Sequence, residues 1–473
     1  MKNTFYPFFT LLILCITCTI TVSGQSHSDR PNFIIVVSDD QGYGDAGYNG
    51  NEEIITPNMD ALANSGFRLD RYYSAPVCSP TRASILTGRY PTRTGVFKWG
   101  HALRPQEHTI ANILKDNGYR TGFFGKWHLG SLREDQPTNP EAHGFETWYA
   151  AANFYENDPW MSHNGHPVQL SGESSDVTVE LALEFIEEIY QNETPFLVFV
   201  WLGSPHLPHE AEDFLKNLYP DQPENMKNYY GEITGIDLAL GKLRNRLNKL
   251  GISENTLLWY SSDNGGKLPE ANNGILSDQK GTLYEGGIRI PSLLEWPGMI
   301  ATGNSKVPAG TVDVFPTLLD FANIDMDIDY PIDGISLAPL LRGEMKARNS
   351  PLGFWDYSEI KGHSMRSDQI IQNYKKYLDG EADESVINDA LLNTPDQNYI
   401  GLEKYPYSGG FAWIEEDWKL HQKGNSFELY NLAEDPGEKN NLISNYPEKS
   451  KSMKSNLRKW QESVIRSIKG YDY

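Results

Sequence analysis

Cysteine is almost absent from this 473-residue chain, and its three copies are unevenly placed. Cys15 and Cys18 lie close to the N-terminus, so Cys78 is the single cysteine in the remainder of the chain. A fold held together by internal disulfides is therefore excluded. A lone thiol is ordinarily a small buried hydrophobic group, and the alternative is a chemical role for Cys78.

Basic residues are also scarce, with 41 Lys and Arg against 63 Asp and Glu, which gives a net charge of −22. Such a surface repels phosphate backbones, so we expect no nucleic-acid partner. An anionic ligand can then bind only in a local pocket that contains Lys, Arg, His or a metal ion. The hydrophobic fraction of 39% is sufficient for a large core, and it excludes global disorder.

Long apolar runs are lacking after the N-terminus. Residues 8–20 are apolar, Lys2 precedes them, and the small residues 22–24 follow. This pattern is typical of a secretory signal peptide, and the alternative is an uncleaved anchor, for which the run is short. We expect residues 1–24 to be a signal peptide and the protein to be exported, either to the periplasm or by secretion. We expect no stable membrane insertion.

Four apolar runs of strand length each end in a polar cluster. The runs cover residues 33–37, 121–124, 196–202 and 257–260, and the clusters contain Asp39 and Asp40, Lys126 and His128, His206, and Asp263 and Asn264 respectively. Helix signals alternate with these runs, at residues 56–66, 109–117, 176–190, 226–250 and 311–322. Continuous apolar strands between helices indicate an α/β fold with a mostly parallel sheet, whose ligands bind beyond the carboxyl ends of the strands.

The pattern changes at about Arg348. Residues 411–414, 418–420 and 427–430 are typical of short antiparallel strands, and residues 447–468 of an amphipathic helix. We therefore predict a catalytic α/β domain over residues 25–347, with a large mixed, mostly parallel sheet between layers of helices. A small C-terminal α+β subdomain over residues 348–473 is predicted to follow. We interpret the polar segment 368–398 as an insertion or mobile loop.

Cys78 lies at the predicted start of a helix. Pro80 suits a first helical turn, and Gly88 suits the end of the same helix. The free N–H groups and the dipole of a helix N-terminus favour an anion, and Arg82 follows one turn later. Taken alone, this arrangement indicates a thiolate nucleophile with a lowered pKa.

Asp39, Asp40, Asp263 and Asn264 offer only oxygen ligands. Each pair alone is ordinarily a cap or a turn, but two pairs at the same sheet edge favour a hard cation such as Ca²⁺ or Mg²⁺. Lys126, His128 and His206 add cationic groups and candidates for general acid and base catalysis. The sequence therefore predicts an anion-processing site at this edge.

These residues resemble the signatures of a known family. The segments 78–89 (CSPTRASILTGR) and 125–130 (GKWHLG) resemble the two signatures of the type I, formylglycine-dependent sulfatases, which are arylsulfatase-like members of the alkaline phosphatase superfamily. The resemblance extends over the segments 39–45, 204–206, 262–266, 280–291, 428–432 and 435–438. One departure lies at residues 277–279, which lack the Arg often found before the matching Lys280.

The resemblance implies a mechanism. Cys78 would be oxidised to formylglycine by a maturation enzyme, and one hydroxyl of the hydrated aldehyde would attack sulfur before the second expels sulfate. Arg82, Lys126 and Lys280 would neutralise the sulfate oxygens. His128 would deprotonate the second hydroxyl, and His206 or Lys280 would protonate the departing alcohol. The implied metal is Ca²⁺, with Mg²⁺ as the alternative, and its ligands would be Asp39, Asp40, the modified Cys78, Asp263 and Asn264.

Three functions fit these motifs. The first is a sulfuric ester hydrolase, which the Lys-Trp-His and Pro-His elements favour. The second is a phosphonate monoester or phosphate diester hydrolase with the same nucleophile, and the third is a carbohydrate-binding relative that has lost catalysis. We expect the substrate to be a sulfated polysaccharide or oligosaccharide. Four residues in aromatic and polar segments are predicted to contact the sugar: Trp99, His101, Trp160 and His209. The sequence leaves open the sugar, the sulfate position and the oligomeric state.

Overall fold

The computed structural model describes residues 1, 30–325, 328–357, 359–363, 365–387 and 405–472. The predicted signal peptide, apart from its first residue, lies outside the described residues. None of the described helices is long and apolar enough to cross a membrane.

Seventeen strands form three sheets in the described ranges. They are β1 (Asn32–Ser38), β2 (Phe67–Leu69), β3 (Tyr72–Tyr73), β4 (Arg120–Lys126), β5 (Thr147–Ala151), β6 (Trp160–His163), β7 (His166–Gln169), β8 (Phe196–Trp201), β9 (Thr256–Ser262), β10 (Arg289–Ile290), β11 (Ser292–Glu295), β12 (Gly303–Ser305), β13 (Ala309–Gly310), β14 (Leu352–Asp356), β15 (Gly410–Glu415), β16 (Trp418–Lys423) and β17 (Ser426–Asn431). The largest sheet has ten strands in the order β12-β2-β11-β9-β1-β8-β4-β5-β6-β7.

The helices lie mostly between these strands. They are α1 (Pro57–Ser65), α2 (Cys78–Thr87), α3 (Ile110–Asp116), α4 (Ser174–Tyr190), α5 (Asp213–Lys216), α6 (Glu224–Leu250), α7 (Glu285–Ile288), α8 (Val314–Ala322), α9 (Ala338–Leu341), α10 (Ser367–Leu378) and the C-terminal helix Pro447–Ile468. Short 3₁₀ turns cover Gly47–Asn49, Ser253–Asn255, Thr311–Asp313 and Glu384–Ile387. The helices predicted from the sequence are confirmed, with boundaries that differ by a few residues.

The centre of the large sheet is parallel. β1 pairs in parallel with β8 and with β9, and β4 pairs in parallel with β8 and with β5. Antiparallel strands extend both sides, with β11 beside β9 and with β6 and β7 beyond β5. The prediction of a large mixed, mostly parallel sheet is confirmed.

Each face of this sheet carries its own core. Phe33, Ile35 and Val37 of β1 pack with residues of α2, α3, α8, α9 and α10. Ile34 and Val36 point to the other face and pack with residues of α1, α4 and α6. Because successive strand residues alternate between faces, an apolar run of this kind requires cover on both sides.

The C-terminal part forms a separate small sheet. β14, β15, β16 and β17 pair antiparallel in that order, which confirms the three predicted strands and adds β14. This sheet and the C-terminal helix share a core with Tyr73, Tyr90 and Phe97 of the preceding part of the chain. Lys419 of β16 is fully buried and forms ion pairs with Glu285 and Glu438, at 3.0 and 2.8 Å.

Of the two interpretations of the segment 368–398, the mobile loop is wrong for its first part. Ser367–Leu378 is helix α10, which contacts β5, β6 and β7. Ile370, Ile371 and Tyr374 are buried at helical spacing, so three apolar contacts order a segment that is otherwise polar. Residues 388–398 lie outside the described part of the chain.

Candidate active site

The predicted site residues meet at the carboxyl ends of four neighbouring strands. β9, β1, β8 and β4 are adjacent and parallel, so the segments that follow them emerge at one edge of the sheet. The backbone continues this alignment past the strand ends, since the N–H of Asp39 donates to the Ser204 carbonyl and that of Asp263 to the Ser38 carbonyl. The residues brought together here are Asp39, Asp40, Lys126, His128, His206, Asp263 and Asn264.

Cys78 is the first residue of α2, as predicted, and every residue of this helix is buried. Its Sγ atom lies 3.4 Å from Nδ1 of His128. Ser79 ties the two segments together, because its hydroxyl donates to the His128 carbonyl at 2.7 Å and accepts from the Gly100 N–H at 2.8 Å. The N-terminus of α2 is thus fixed against the end of β4.

Three carboxyl groups at this edge each lie within hydrogen-bond distance of a different cation. Nζ of Lys126 lies 2.5 Å from Asp39, and Nζ of Lys280 donates to Asp40 at 2.6 Å. Nη2 of Arg82 donates to Asp263 at 2.7 Å. Because these side chains are almost entirely buried, each charge is compensated within the protein.

Arg82 also organises the site through its other contacts. Its Nη1 donates to the Lys126 carbonyl at 2.9 Å, and its guanidinium lies 5.0 Å from the ring centroid of Trp201. The planar fork of arginine can make both contacts at once, whereas the single ammonium of lysine cannot.

Burial dominates the titration of the catalytic candidates. It raises the pKa of Cys78, so the expectation of a thiolate with a lowered pKa does not hold for the unmodified side chain. Burial lowers the pKa of His128, and the nearby charge of Lys126 lowers it further. Burial and Lys280 act in the same way on His206. Both imidazoles are therefore neutral at neutral pH.

The two adjacent carboxyls at the end of β1 titrate in opposite directions. Burial, and then the charge of Asp263, raise the pKa of Asp39 to about 8. Burial acts in the same sense on Asp40, but Lys280 and His206 outweigh it and hold the pKa of Asp40 below its ordinary value.

The oxygen atoms at this edge fit a hard cation. Oδ1 of Asp39 and Oδ1 of Asn264 are buried and have no hydrogen-bond partner among the described residues. Ligand atoms of Asp39, Asp40 and His206 lie within 4.8 Å of one another. Buried polar oxygens need a partner, and Ca²⁺ or Mg²⁺ prefers such oxygen ligands.

An open cavity of about 410 Å³ leads to these groups. Of the predicted catalytic residues, Asp40, Cys78, His128, His206 and Lys280 line it. The ring of His206 is stacked on Phe154, with centroids 4.5 Å apart, and this contact fixes the imidazole at the cavity wall.

Of the four residues predicted to contact the sugar, the structure places one at the cavity and three away from it. Trp99 lines the cavity, and 36% of its surface is exposed. His101 is buried, with Nε2 3.1 Å from the Lys361 carbonyl oxygen, and Trp160 lies in β6, beyond β5 from the strand ends of the site. His209 lies 3.2 Å from Glu232 and packs on Tyr229. These three are not part of the cavity wall that the described residues form.

Five residues that line the cavity were not predicted as site residues, namely Val77, Asn153, Leu207, Lys267 and Gly281. Lys267 directly follows the Asp-Asn-Gly-Gly segment 263–266, and this position was an available signal. Asn153 begins a segment rich in aromatic and polar residues. No sequence pattern distinguishes Leu207.

Family comparisons agree with this geometry. The model of the sulfatase family matches residues 31–324, which include all the strand ends described above. The chain therefore belongs to the sulfatase family, in the alkaline phosphatase superfamily, and it is a sulfuric ester hydrolase.

Individual relatives are similar over most of the chain. N-acetylgalactosamine-6-sulfatase of Mus musculus is 32% identical over 67% of this chain and 68% of its own length. Ulvan-active sulfatase of Formosa agariphila is 33% identical over 71% and 69%. The crystal structure of Ps i-CgsB in complex with k-i-k-neocarrahexaose is 25% identical, with a TM-score of 0.77, and the match covers 92% of this chain and 93% of that one.

Proposed function

We propose that this sulfatase is exported and removes sulfate from a sulfated polysaccharide or oligosaccharide, with a formylglycine made from Cys78 as nucleophile and a bound Ca²⁺ ion. The observation that carries the proposal is the position of Cys78. It begins a buried helix at the base of a cavity, beside two neutral imidazoles and three buried cations. This is a site for an anionic ester that is attacked by a side chain of the protein.

The residues around Cys78 have separate roles in this proposal. The oxidised residue supplies the hydroxyl that attacks sulfur. His128 is neutral and lies 3.4 Å from Sγ of Cys78, so its Nδ1 can accept a proton from the group at that position. Lys126, Lys280 and Arg82 balance the negative charge that develops on the sulfate oxygens. Lys280, or His206 once it is protonated, donates a proton to the alcohol that leaves, and both residues line the open side.

Asp39, Asp40, Asp263, Asn264 and the modified Cys78 would hold the metal ion. When bound, the ion would polarise the sulfate group as a Lewis acid. The partnerless oxygens of Asp39 and Asn264 support this assignment, as does the absence of a thiolate or a cluster of imidazoles among the other four ligands. We propose Ca²⁺, with Mg²⁺ as the alternative.

The saccharide substrate and the export are supported by different observations. Trp99 exposes part of an aromatic ring to the cavity, and such rings pack against sugar faces. Two relatives are sulfatases named after a saccharide, and the structure of a third protein was determined with a bound oligosaccharide. The signal-like segment at residues 1–24 supports export to the periplasm or secretion. A maturation enzyme that oxidises Cys78 is the required protein partner.

The test measures the modification and the activity in the same samples. Protein co-expressed with a maturation enzyme is expected to carry formylglycine at position 78 in peptide mass spectrometry and to hydrolyse a chromogenic aryl sulfate. Cys78→Ala is expected to lower kcat by at least about 10³-fold with unchanged far-UV circular dichroism. Fully active protein that contains only an unmodified thiol at Cys78 would refute the nucleophile assignment.

The metal assignment is tested by measuring the metal content of the same preparations. Elemental analysis of the dialysed parent protein is expected to find about one Ca²⁺ per chain. The variant Asp263→Asn, which removes one ligand charge, is expected to lose this ion. Substitution of Asp278, a carboxylate outside the proposed ligand set, by Asn is the matched control and should retain the ion. Retention of Ca²⁺ by Asp263→Asn would contradict the assignment.

A further inference from the structure

We propose that Lys267 binds a second anionic group of the substrate, next to the sulfate that is removed. The enzyme is then selective for acidic saccharides that carry at least two anionic groups within one disaccharide. This inference rests on the proposed function, because it concerns the substrate of the same cavity.

The first argument is the charge balance of the cavity. Lys126, Lys280 and Arg82 each have a carboxyl partner within 2.7 Å, so all three cations are held in place at the catalytic groups. Lys267 lines the same cavity and is exposed, and no carboxylate of the described chain lies within ion-pair distance of its ammonium group. It therefore supplies a positive charge that the protein itself does not neutralise.

The second argument is that the backbone of Lys267 is fixed. The preceding residue, Gly266, donates from its N–H to Oδ1 of Asn273 at 3.0 Å, and its carbonyl accepts from the Lys280 N–H at 3.1 Å. The following residue, Leu268, donates its N–H to Oε1 of Gln279 at 2.8 Å. Since both neighbours form hydrogen bonds with the segment that carries Lys280, the ammonium group of Lys267 can occupy only a limited volume near the catalytic residues.

The third argument is that the same cavity has a fixed surface for a sugar ring. One side of the Trp99 indole lies against Gly362, where an added Cβ would come within 2.4 Å of the ring. The His363 N–H also donates to the Trp99 carbonyl at 2.9 Å. The indole is thus held from the C-terminal part of the chain while it exposes surface to the cavity.

Together these features define a ligand class. A sugar placed against Trp99 with its sulfate at Cys78 lies in a cavity that also contains the Lys267 ammonium group, which has no carboxylate partner among the described residues. That group favours a carboxylate, as in a uronic acid, or a second sulfate. In a chain with a net charge of −22, a polyanion is attracted only where such local positive charge exists.

The experiment measures binding rather than turnover, so its result does not depend on the formylglycine chemistry. Full-length Cys78→Ala protein is titrated by calorimetry with three disaccharides of matched backbone: a monosulfated neutral one, a disulfated one, and a monosulfated one that contains a uronic acid. We expect at least one of the two doubly anionic ligands to bind about fivefold more tightly than the neutral monosulfated one, which is the effect of a partly exposed charge pair.

Variants at Lys267 then identify the source of this preference. In Lys267→Met the preference is expected to disappear, and in Lys267→Arg it is expected to remain. Lys115→Met, on the exposed surface of α3, is the matched control and should bind all three ligands as the parent does. The preference should also weaken between 50 and 300 mM salt, because exposed charge interactions are screened.

The outcomes separate the two proposals. Equal affinity for the three ligands, no measurable binding of any of them, or a preference that persists in Lys267→Met would each overturn the role of Lys267. Loss of aryl sulfate hydrolysis in the matured parent protein would instead count against the proposed function. A preference for only the uronate or only the disulfated ligand identifies which anion Lys267 recognises.

Discussion

Glu156 and Glu232 are buried acids whose charges repel each other, and neither forms an ion pair with Lys or Arg among the described residues. Glu156 follows Phe154 and Tyr155, while Glu232 lies on α6 and accepts a hydrogen bond from the Glu210 N–H at 2.6 Å. Burial, and then the charge of Glu232, raise the pKa of Glu156 to about 10. Arg366 lowers this value only in part, and Glu210 and Asp368 raise it. At neutral pH the native protein therefore retains a proton on this pair of carboxyl groups.

This retained proton predicts a pH dependence of stability. The unfolded chain releases the Glu156 proton near its ordinary pKa of 4.5, whereas the folded chain holds it. The free energy of unfolding that the bound proton contributes is complete below pH 4.5 and is lost as the pH rises from there to the folded pKa of about 10. Glu156→Gln keeps the shape and removes the ionisation, so its free energy of unfolding should exceed that of the parent by about 1 kcal/mol or more at pH 8, since one pKa unit corresponds to about 1.4 kcal/mol.

Urea denaturation at pH 5, 7 and 9 measures this difference. It should grow with pH for Glu156→Gln and stay near zero for Glu188→Gln, an exposed position on α4. A difference that stays constant between pH 5 and pH 9 would show that the carboxyl group is ionised in the folded protein, as it is in the unfolded chain.

Single residues also show which parts of the site the sequence could predict. Cys78, Arg82, Lys126 and His128 stand in continuous motifs, so their positions could be read from the chain. His101 and His209 were assigned to the sugar site from the composition of their loops, but they form buried contacts with the Lys361 carbonyl and with Glu232. Loop composition does not encode the direction of a side chain, because that direction depends on segments distant in sequence.

Helix α2 shows how one element positions the nucleophile. It ends at Gly88, whose φ of 68° is left-handed, and the carbonyl of this glycine accepts hydrogen bonds from the N–H groups of Asp333 and Gly334. A Cβ at this position would lie 3.0 Å from Cβ of Phe315 on α8. The end of the helix is therefore fixed by conformation and by packing at once.

A pair of glycine variants separates these two effects. Gly251 ends α6 with a similar φ of 71°, but a Cβ there would meet no atom within 4 Å. Gly251→Ala should cost about 1 kcal/mol of the free energy of unfolding, from the left-handed backbone alone. Gly88→Ala should cost at least about 1 kcal/mol more, because the added methyl group also presses on Phe315. An equal decrease in the free energy of unfolding for the two variants, measured by urea denaturation, would show that α8 shifts to accommodate the new methyl group.

The elements differ in how well the sequence predicted them. The four central strands were found because burial on both faces produces an uninterrupted apolar run, and their polar ends marked the site. The short strands β2, β3, β10, β12 and β13 have two or three residues each, too few for a periodic signal. Helix α10 was missed because only its buried stripe is apolar, and that stripe forms by packing on β5, β6 and β7.

At the scale of the whole molecule, the two parts of the chain are joined through buried charge. Lys419 of the small sheet contacts Glu285, which begins α7, and Glu438. Arg93 pairs with Asp333 and also donates to Ser467 of the C-terminal helix. Separation of the two parts would break the buried Lys419–Glu285 ion pair and the hydrogen bond from Arg93 to Ser467, and loss of a buried ion-pair partner is strongly unfavourable.

This connection predicts a single unfolding transition. Differential scanning calorimetry of the full chain should give one endotherm, and Lys419→Met should move the whole endotherm to lower temperature, since removing one member of a buried ion pair costs about 3–5 kcal/mol. Lys449→Met, at a partly exposed pair with Glu415 3.9 Å away, should shift it little. Two endotherms in the parent, or a shift of only part of the signal, would mean that the C-terminal part unfolds independently.

The contact between Trp99 and Gly362 has a consequence for directed evolution. The chemistry depends on strand ends and on α2, whereas the exposed indole at the cavity wall is held by residues more than 250 positions later in the chain. Mutations at residues 361–363 can therefore reshape the wall without altering any group that contacts the scissile ester. Libraries that aim to change the accepted sugar while preserving turnover should begin with this segment, and selections can then keep the family motifs constant.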